Sequence, residues 1–292
     1  MKKVFVFFLP LLTIAVVYKQ SCSQYKPSTL ITDYSVEINS LNTYYRTAGD
    51  SKNEALVFTP GWGARNASDC MPGNDPVIDQ LAKHFYVIMF EPPGLIRSEP
   101  PREIWSFDDY AHHLNKLVNE LEIKNSYFMG QSFGGGVSTA YAKLYPDNVK
   151  TLILVDSTMA NRTRNWYYNL RFPWNAFVKK AIPSRFVPFA IKRLIVSGYF
   201  GVPLAEIGKD NLTYWITVAE IQQAHDLEVD YTSLQMPVLM IWGNKDTYVT
   251  SIDHARKTHS LIPNSTFVEV DGGHTVLFKN PEIVVNKIKE NL

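Results

Sequence analysis

From about residue 34 to its end, the chain alternates short apolar, strand-like runs with segments of helical period. The strand-like runs are Ser35–Ile38 and Thr43–Thr47 (an opening hairpin), Ala55–Phe58, Tyr86–Phe90, Tyr127–Met129, Leu152–Asp156, Val238–Trp242 and Thr266–Val270. Between them lie helix-like segments at Val77–Lys83, from Ser106 onward, and at Gly134–Leu144, Ile252–Ser260 and Pro281–Asn291. The helix after Ser106 is the clearest. Ser106 and Asp109 stand in the S-x-x-D relation of a capping box. Phe107, Tyr110, Ala111, Leu114, Leu117, Val118 and Leu121 then recur on one face. Strands joined by helices of this length predict an α/β fold, with a mainly parallel sheet covered on both faces. Ligand sites in such sheets lie beyond the carboxyl ends of the strands, so each candidate motif is judged by whether it directly follows one.

Residues 158–230 break the alternation. They hold no convincing strand and are rich in aromatics, among them Trp166, Tyr167, Tyr168, Phe172, Trp174 and Trp215. Pro173, Pro183, Pro188 and Pro203 divide them into short pieces. The pattern predicts a helical lid inserted between two strands. At 292 residues with 46% hydrophobic content, the chain has the make-up of a globular protein rather than a disordered one. A formal charge of +1 lacks the basic excess of a nucleic-acid binder. Two cysteines, Cys22 and Cys70, make neither a disulfide scaffold nor a multi-cysteine zinc site.

The first 23 residues form a separate object. Lys2 and Lys3 precede an apolar run from Val4 to Tyr18, broken by Pro10. As a helix this run spans about 22 Å, short of the roughly 30 Å hydrocarbon core. Ser21 and Ser23 suit a cleavage site after Ser23. Residues 1–23 therefore read as a signal peptide. A retained N-terminal membrane anchor and a lipoprotein attached at Cys22 are the alternatives. Each predicts a secreted, periplasmic or membrane-anchored protein. Four N-x-S/T sequons, at Asn66, Asn161, Asn211 and Asn264, carry little weight, since chance alone supplies a couple and they matter only in a eukaryotic source.

The chemistry concentrates in Gly130-Gln131-Ser132-Phe133-Gly134, a G-x-S-x-G sequence between a strand and a helix. Glycines on both sides let a sharp turn lift the Ser132 hydroxyl clear of the sheet. A serine nucleophile needs a base, and the base needs an orienting acid. His274, in Gly272-Gly273-His274 after Thr266–Val270, is the histidine at a strand's carboxyl end. His112 and His113 lie within the amphipathic helix and read as surface or packing residues. Asp246 follows Val238–Trp242 and is the expected acid, with Asp156 as its rival. For the oxyanion, the backbone N–H of Phe133 and that of Trp62, in Pro60-Gly61-Trp62-Gly63, are the expected donors.

Together these residues resemble the α/β-hydrolase superfamily over about residues 34–292, with 158–230 as the inserted helical cap. The order Ser132, Asp246, His274 is that family's order. Glu91-Pro92-Pro93-Gly94-Leu95-Ile96-Arg97-Ser98 is similar to its D-x-x-G-x-G-x-S stretch, with Glu91 and Ile96 departing from it. Pro60 stands where the family's oxyanion segment carries His. The resemblance implies a serine hydrolase with no metal and no organic cofactor, acting through an acyl-enzyme on a small-molecule ester or amide. A carboxylesterase or lipase-like activity is the first expectation. A prolyl-aminopeptidase-like peptidase is the alternative; it requires lid acids such as Glu206, Glu220, Asp226, Glu228 or Asp230 to hold a substrate ammonium. Carbon–carbon bond hydrolysis and a non-catalytic binding role on the same fold are further alternatives.

Overall fold

The computed structural model describes residues 26–61, 74–95, 97–101, 105–158, 188–192, 194, 229–246 and 250–292. The leader, Cys22, Cys70, Trp62 and nearly all of the expected cap lie outside the described residues.

Eight strands form one sheet. They are β1 (Ile31–Ile38), β2 (Leu41–Ala48), β3 (Ala55–Thr59), β4 (Tyr86–Phe90), β5 (Ser126–Gln131), β6 (Val149–Val155), β7 (Val238–Gly243) and β8 (Ser265–Val270), in the order β1-β2-β4-β3-β5-β6-β7-β8. The β1–β2 and β2–β4 pairs are antiparallel. Every later pair is parallel. The opening hairpin turns at Asn39-Ser40, both with positive φ (52° and 60°). That is the two-residue turn whose twist matches its flanking strands.

Among the described residues, the helices against the sheet are α1 (Asp75–Leu81), α2 (Phe107–Glu120), α3 (Phe133–Leu144), α4 (Ile252–His259), α5 (Val276–Lys279) and α6 (Pro281–Glu290). The α2 cap is the expected one. The Ser106 hydroxyl accepts the Asp109 N–H at 3.2 Å, and the Asp109 carboxylate accepts the Ser106 N–H at 2.8 Å. Its buried face holds Phe107, Tyr110, Ala111, Leu114, Leu117 and Val118 as expected, and His113 as well.

Successive strand residues point to opposite faces, and both faces are apolar. Phe128, Leu152, Leu154, Met240 and Trp242 join the core under α2, α3 and α4. Met129, Ile153, Val155, Leu239 and Ile241 join the core under α1, α5 and α6. Central strands therefore read as continuous apolar runs rather than as alternating ones. His113 is a packing residue. Its Nε2 lies 2.8 Å from the Thr43 hydroxyl, and its ring stands against Phe90 and Trp105. Burial lowers its pKa to about 4, so it sits in the core uncharged.

The loop after β4 is held by charge. Glu91 is fully buried, and its carboxylate accepts Arg97 Nη2 at 2.5 Å and Arg97 Nε at 3.2 Å. Arg97 also reaches Asp33 on β1 at 3.0 Å. Arg46 on β2 joins Asp33 at 2.9 Å to Asp75 of α1 at 2.5 Å. The longer acid at position 91 is thus accommodated by a guanidinium six residues on. Arg97→Met would strip a buried carboxylate of its partner and is expected to destabilise the protein by about 3–5 kcal/mol at neutral pH. Urea unfolding measures this, and recovery at acidic pH, where Glu91 protonates, would identify the cause.

Candidate functional site

Ser132 occupies the turn between β5 and α3 with φ 50° and ψ −118°, a left-handed conformation for a residue with a Cβ. Such geometry costs on the order of 1–3 kcal/mol and persists only where its surroundings enforce it. Here the Ser132 N–H donates to the Val155 carbonyl at 3.1 Å, while its own carbonyl accepts the N–H groups of Gly135 and Thr158, each at 2.9 Å. The flanking glycines are required by close approach. A Cβ on Gly130 would lie 2.3 Å from the Gly134 carbonyl oxygen, and one on Gly134 would lie 2.0 Å from the Thr59 carbonyl oxygen.

His274 comes from the loop between β8 and α5, and Asp246 from the loop after β7. His274 Nε2 lies 2.9 Å from Ser132 Oγ, and its Nδ1 lies 2.8 Å from Asp246 Oδ2. An ionised carboxylate only accepts, so Nδ1 carries the ring proton and Nε2 offers its lone pair to the serine. The structure thus brings together the three residues expected from sequence. The Asp246 side chain is 1% exposed and that of His274 20%. Burial alone would raise the Asp246 pKa. The hydrogen bond and charge of His274 and two hydrogen bonds from Thr250 outweigh it and hold the carboxyl down at about 2.

Asp156 follows β6 and does not reach His274. It is fully buried with φ 41°, and its Oδ1 accepts the Gly243 N–H at 2.9 Å. Its Oδ2 has no partner among the described residues. Burial, abetted by the Asp246 charge and only partly opposed by the Gly243 N–H, raises its pKa to about 8. It is a neutral acid linking β6 to β7.

Sequence reasoning passed over Thr250. Its hydroxyl lies 2.6 Å from Asp246 Oδ2 and 3.2 Å from His274 Nδ1, and its N–H donates to Asp246 Oδ1 at 3.3 Å. The sole available signal was a hydroxyl residue four positions after the acid. The Phe133 N–H, at the start of α3, donates to no backbone acceptor among the described residues. Its expected partner Trp62 lies outside them, although Gly61 beside it is placed against Ser132. Of the lid acids the peptidase alternative requires, only Asp230 is described. Its carboxylate accepts Thr232 N at 3.0 Å and the Thr232 hydroxyl at 2.7 Å, so it is engaged in capping the turn Tyr231–Ser233.

The two acids give stability opposite dependences on pH. Asp246, held below its unfolded value of 3.8, contributes stability above about pH 4 that is lost as pH falls towards 2. Asp156 binds its proton more tightly folded than unfolded, so stability falls as pH rises from about 4 to about 8. Urea midpoints measured across pH 2–9 should show both limbs, and Asp156→Asn should flatten only the upper one.

The family model described as alpha/beta hydrolase fold matches residues 54–195 and 197–281. An uncharacterized protein of Mycobacterium tuberculosis is 25% identical over 228 residues, which are 69% of this chain and 66% of that protein. A non-heme chloroperoxidase of Streptomyces lividans is 24% identical over 262 residues, 83% of this chain and 93% of its own. Among solved structures, a thermophilic esterase from Thermogutta terrifontis superposes with a TM-score of 0.67 at 20% identity, over 89% of this chain and 97% of its own. That last likeness speaks to the fold, which the eight-stranded sheet already displays. The match over most of the chain, joined to a serine elbow after β5, establishes that this protein belongs to the alpha/beta hydrolase fold family.

Proposed function

We propose that this hydrolase cleaves carboxylic esters through Ser132, His274 and Asp246, by way of an acyl-enzyme. The observation that carries the reading is the unbroken line from Ser132 Oγ to His274 Nε2 at 2.9 Å and from His274 Nδ1 to Asp246 Oδ2 at 2.8 Å. As Ser132 Oγ bonds to the substrate carbonyl carbon, its proton passes to His274 Nε2. Asp246 orients the ring and stabilises the imidazolium that forms. The tetrahedral oxyanion lies over the start of α3. The Phe133 N–H is one donor there, and the Trp62 N–H is the proposed second. Collapse expels the alkoxide, which takes the proton from His274. Water, activated by the same histidine, then releases the acid and restores the serine.

The aromatic content of residues 158–230 supports an acyl or aromatic ester as substrate. Ser132→Ala is expected to abolish labelling by a fluorophosphonate probe and to lower kcat for p-nitrophenyl esters by at least ~10⁴-fold, and Asp246→Asn by about 10⁴-fold. A series of such esters of increasing chain length, run beside proline aminoacyl amides, reads out the substrate class. Faster cleavage of the amides would replace the esterase assignment with the peptidase one. Absence of labelling in the wild type would replace both with a non-catalytic role.

The leader sequence supports export, or anchoring through residues 1–23. Intact-mass analysis of the mature protein is expected to give a chain beginning at Gln24. A mass that includes Met1 would instead mark a retained anchor, and one carrying lipid at Cys22 a lipoprotein.

A further inference from the structure

Between the two glycines of the elbow, Gln131 carries a side chain that the reaction above does not use. It is the last residue of β5, is 2% exposed, and lies at the carboxyl edge of the sheet. Its Nε2 donates to the main-chain carbonyl of His274 at 3.2 Å. That carbonyl only accepts, so the atom facing it is the amide nitrogen, and the orientation of the carboxamide follows. The oxygen then faces the loop after β3. A Cβ on Gly61 would sit 1.9 Å from Gln131 Oε1 and 3.1 Å from the Ser132 Cβ. One planar group therefore touches the loop that bears the base and also the loop that leads into the oxyanion segment. It does so from the residue adjacent to the nucleophile.

We propose that Gln131 is a positioning residue for the hydrolase reaction: its carboxamide sets the spacing between the His274 loop and the Gly61 loop on either side of Ser132. Three loops distant in the chain must agree to a fraction of an ångström for the proton transfer and the oxyanion contacts to occur together. Hydrogen bonds within each loop do not set the distance between loops. The hydrogen bond to the His274 main chain holds the backbone from which the imidazole projects. The close packing on Gly61 limits how near the oxyanion loop approaches Ser132. A long polar side chain is suited to this place, because an apolar one of equal length would leave the His274 carbonyl without this donor.

This inference rests on the proposed roles of Ser132 and His274, and the test separates the two. Gln131→Met keeps length and bulk but removes donor and acceptor; Gln131→Leu removes both with a shorter side chain. Both are assayed with p-nitrophenyl acetate beside wild type and Ser132→Ala, with melting temperatures measured in parallel. Expected is a loss of kcat of about 10–100-fold with KM within twofold, as misplacement of reacting groups produces. The rate of labelling by the fluorophosphonate should fall by a similar factor, at a melting temperature near that of wild type. Wild-type kcat in whichever variant keeps the wild-type melting temperature overturns the inference. So does a large drop in melting temperature in both, which would make Gln131 a folding residue only. Full activity in Ser132→Ala would instead overturn the assignment of the nucleophile itself.

Discussion

The left-handed turn at Ser132 is the constraint on which the remaining architecture depends. A side chain at that backbone angle is unfavourable in isolation. It is held because three neighbouring segments close on it: the end of β6 through Val155, the segment after β6 through Thr158, and the end of β3 through Thr59. Each contact is made by backbone, so the turn relies on strand order rather than on any particular side chain. Placing β5 between β3 and β6 is what brings those backbones within reach. The sheet is thus a jig for one serine, and its two apolar faces hold the jig rigid.

Around the acid, the same edge of the sheet handles charge by segregation. Two aspartates stand at the ends of adjacent strands, and the protein leaves only one of them ionised near neutrality. Asp246 is surrounded by donors: the imidazole, the Thr250 hydroxyl and the Thr250 N–H. The Asp156 carboxyl receives one backbone donor, the Gly243 N–H, and is fully buried. A second full charge there would repel the Asp246 carboxylate. Burial against a single donor prevents this, and the neutral carboxyl still links β6 to β7.

Much of this was legible in the chain. Central strands announced themselves because both of their faces are buried, and the elbow because glycine is needed where backbones nearly touch. What escaped notice has physical reasons. The first half of β1, before Ser35, was missed because Asp33 and Tyr34 on this edge strand are exposed and carry no apolar alternation. Helix α5 is a single turn, too short to display a period. The choice between Asp246 and Asp156 rested on which loop adjoins the base, and sequence reasoning ranked it by position alone. Thr250 and Gln131 left almost no trace, since a residue that holds another in place is recognised by what it touches. Neither the Thr250 hydroxyl nor the Gln131 amide belongs to a motif with a spacing of its own.

Ser132 and His274, whose side chains meet, are 142 positions apart in the chain. During synthesis, Ser132 and the strands that strain it are made long before the histidine that its hydroxyl meets. His274 arrives with the loop after β8, the strand at the edge of the sheet, which pairs with β7 alone. A chain that stalls, or is cut short before that strand docks, holds an ordinary alcohol at the top of an incomplete sheet. The contact between the Ser132 hydroxyl and the imidazole therefore forms only once β8 has docked beside β7.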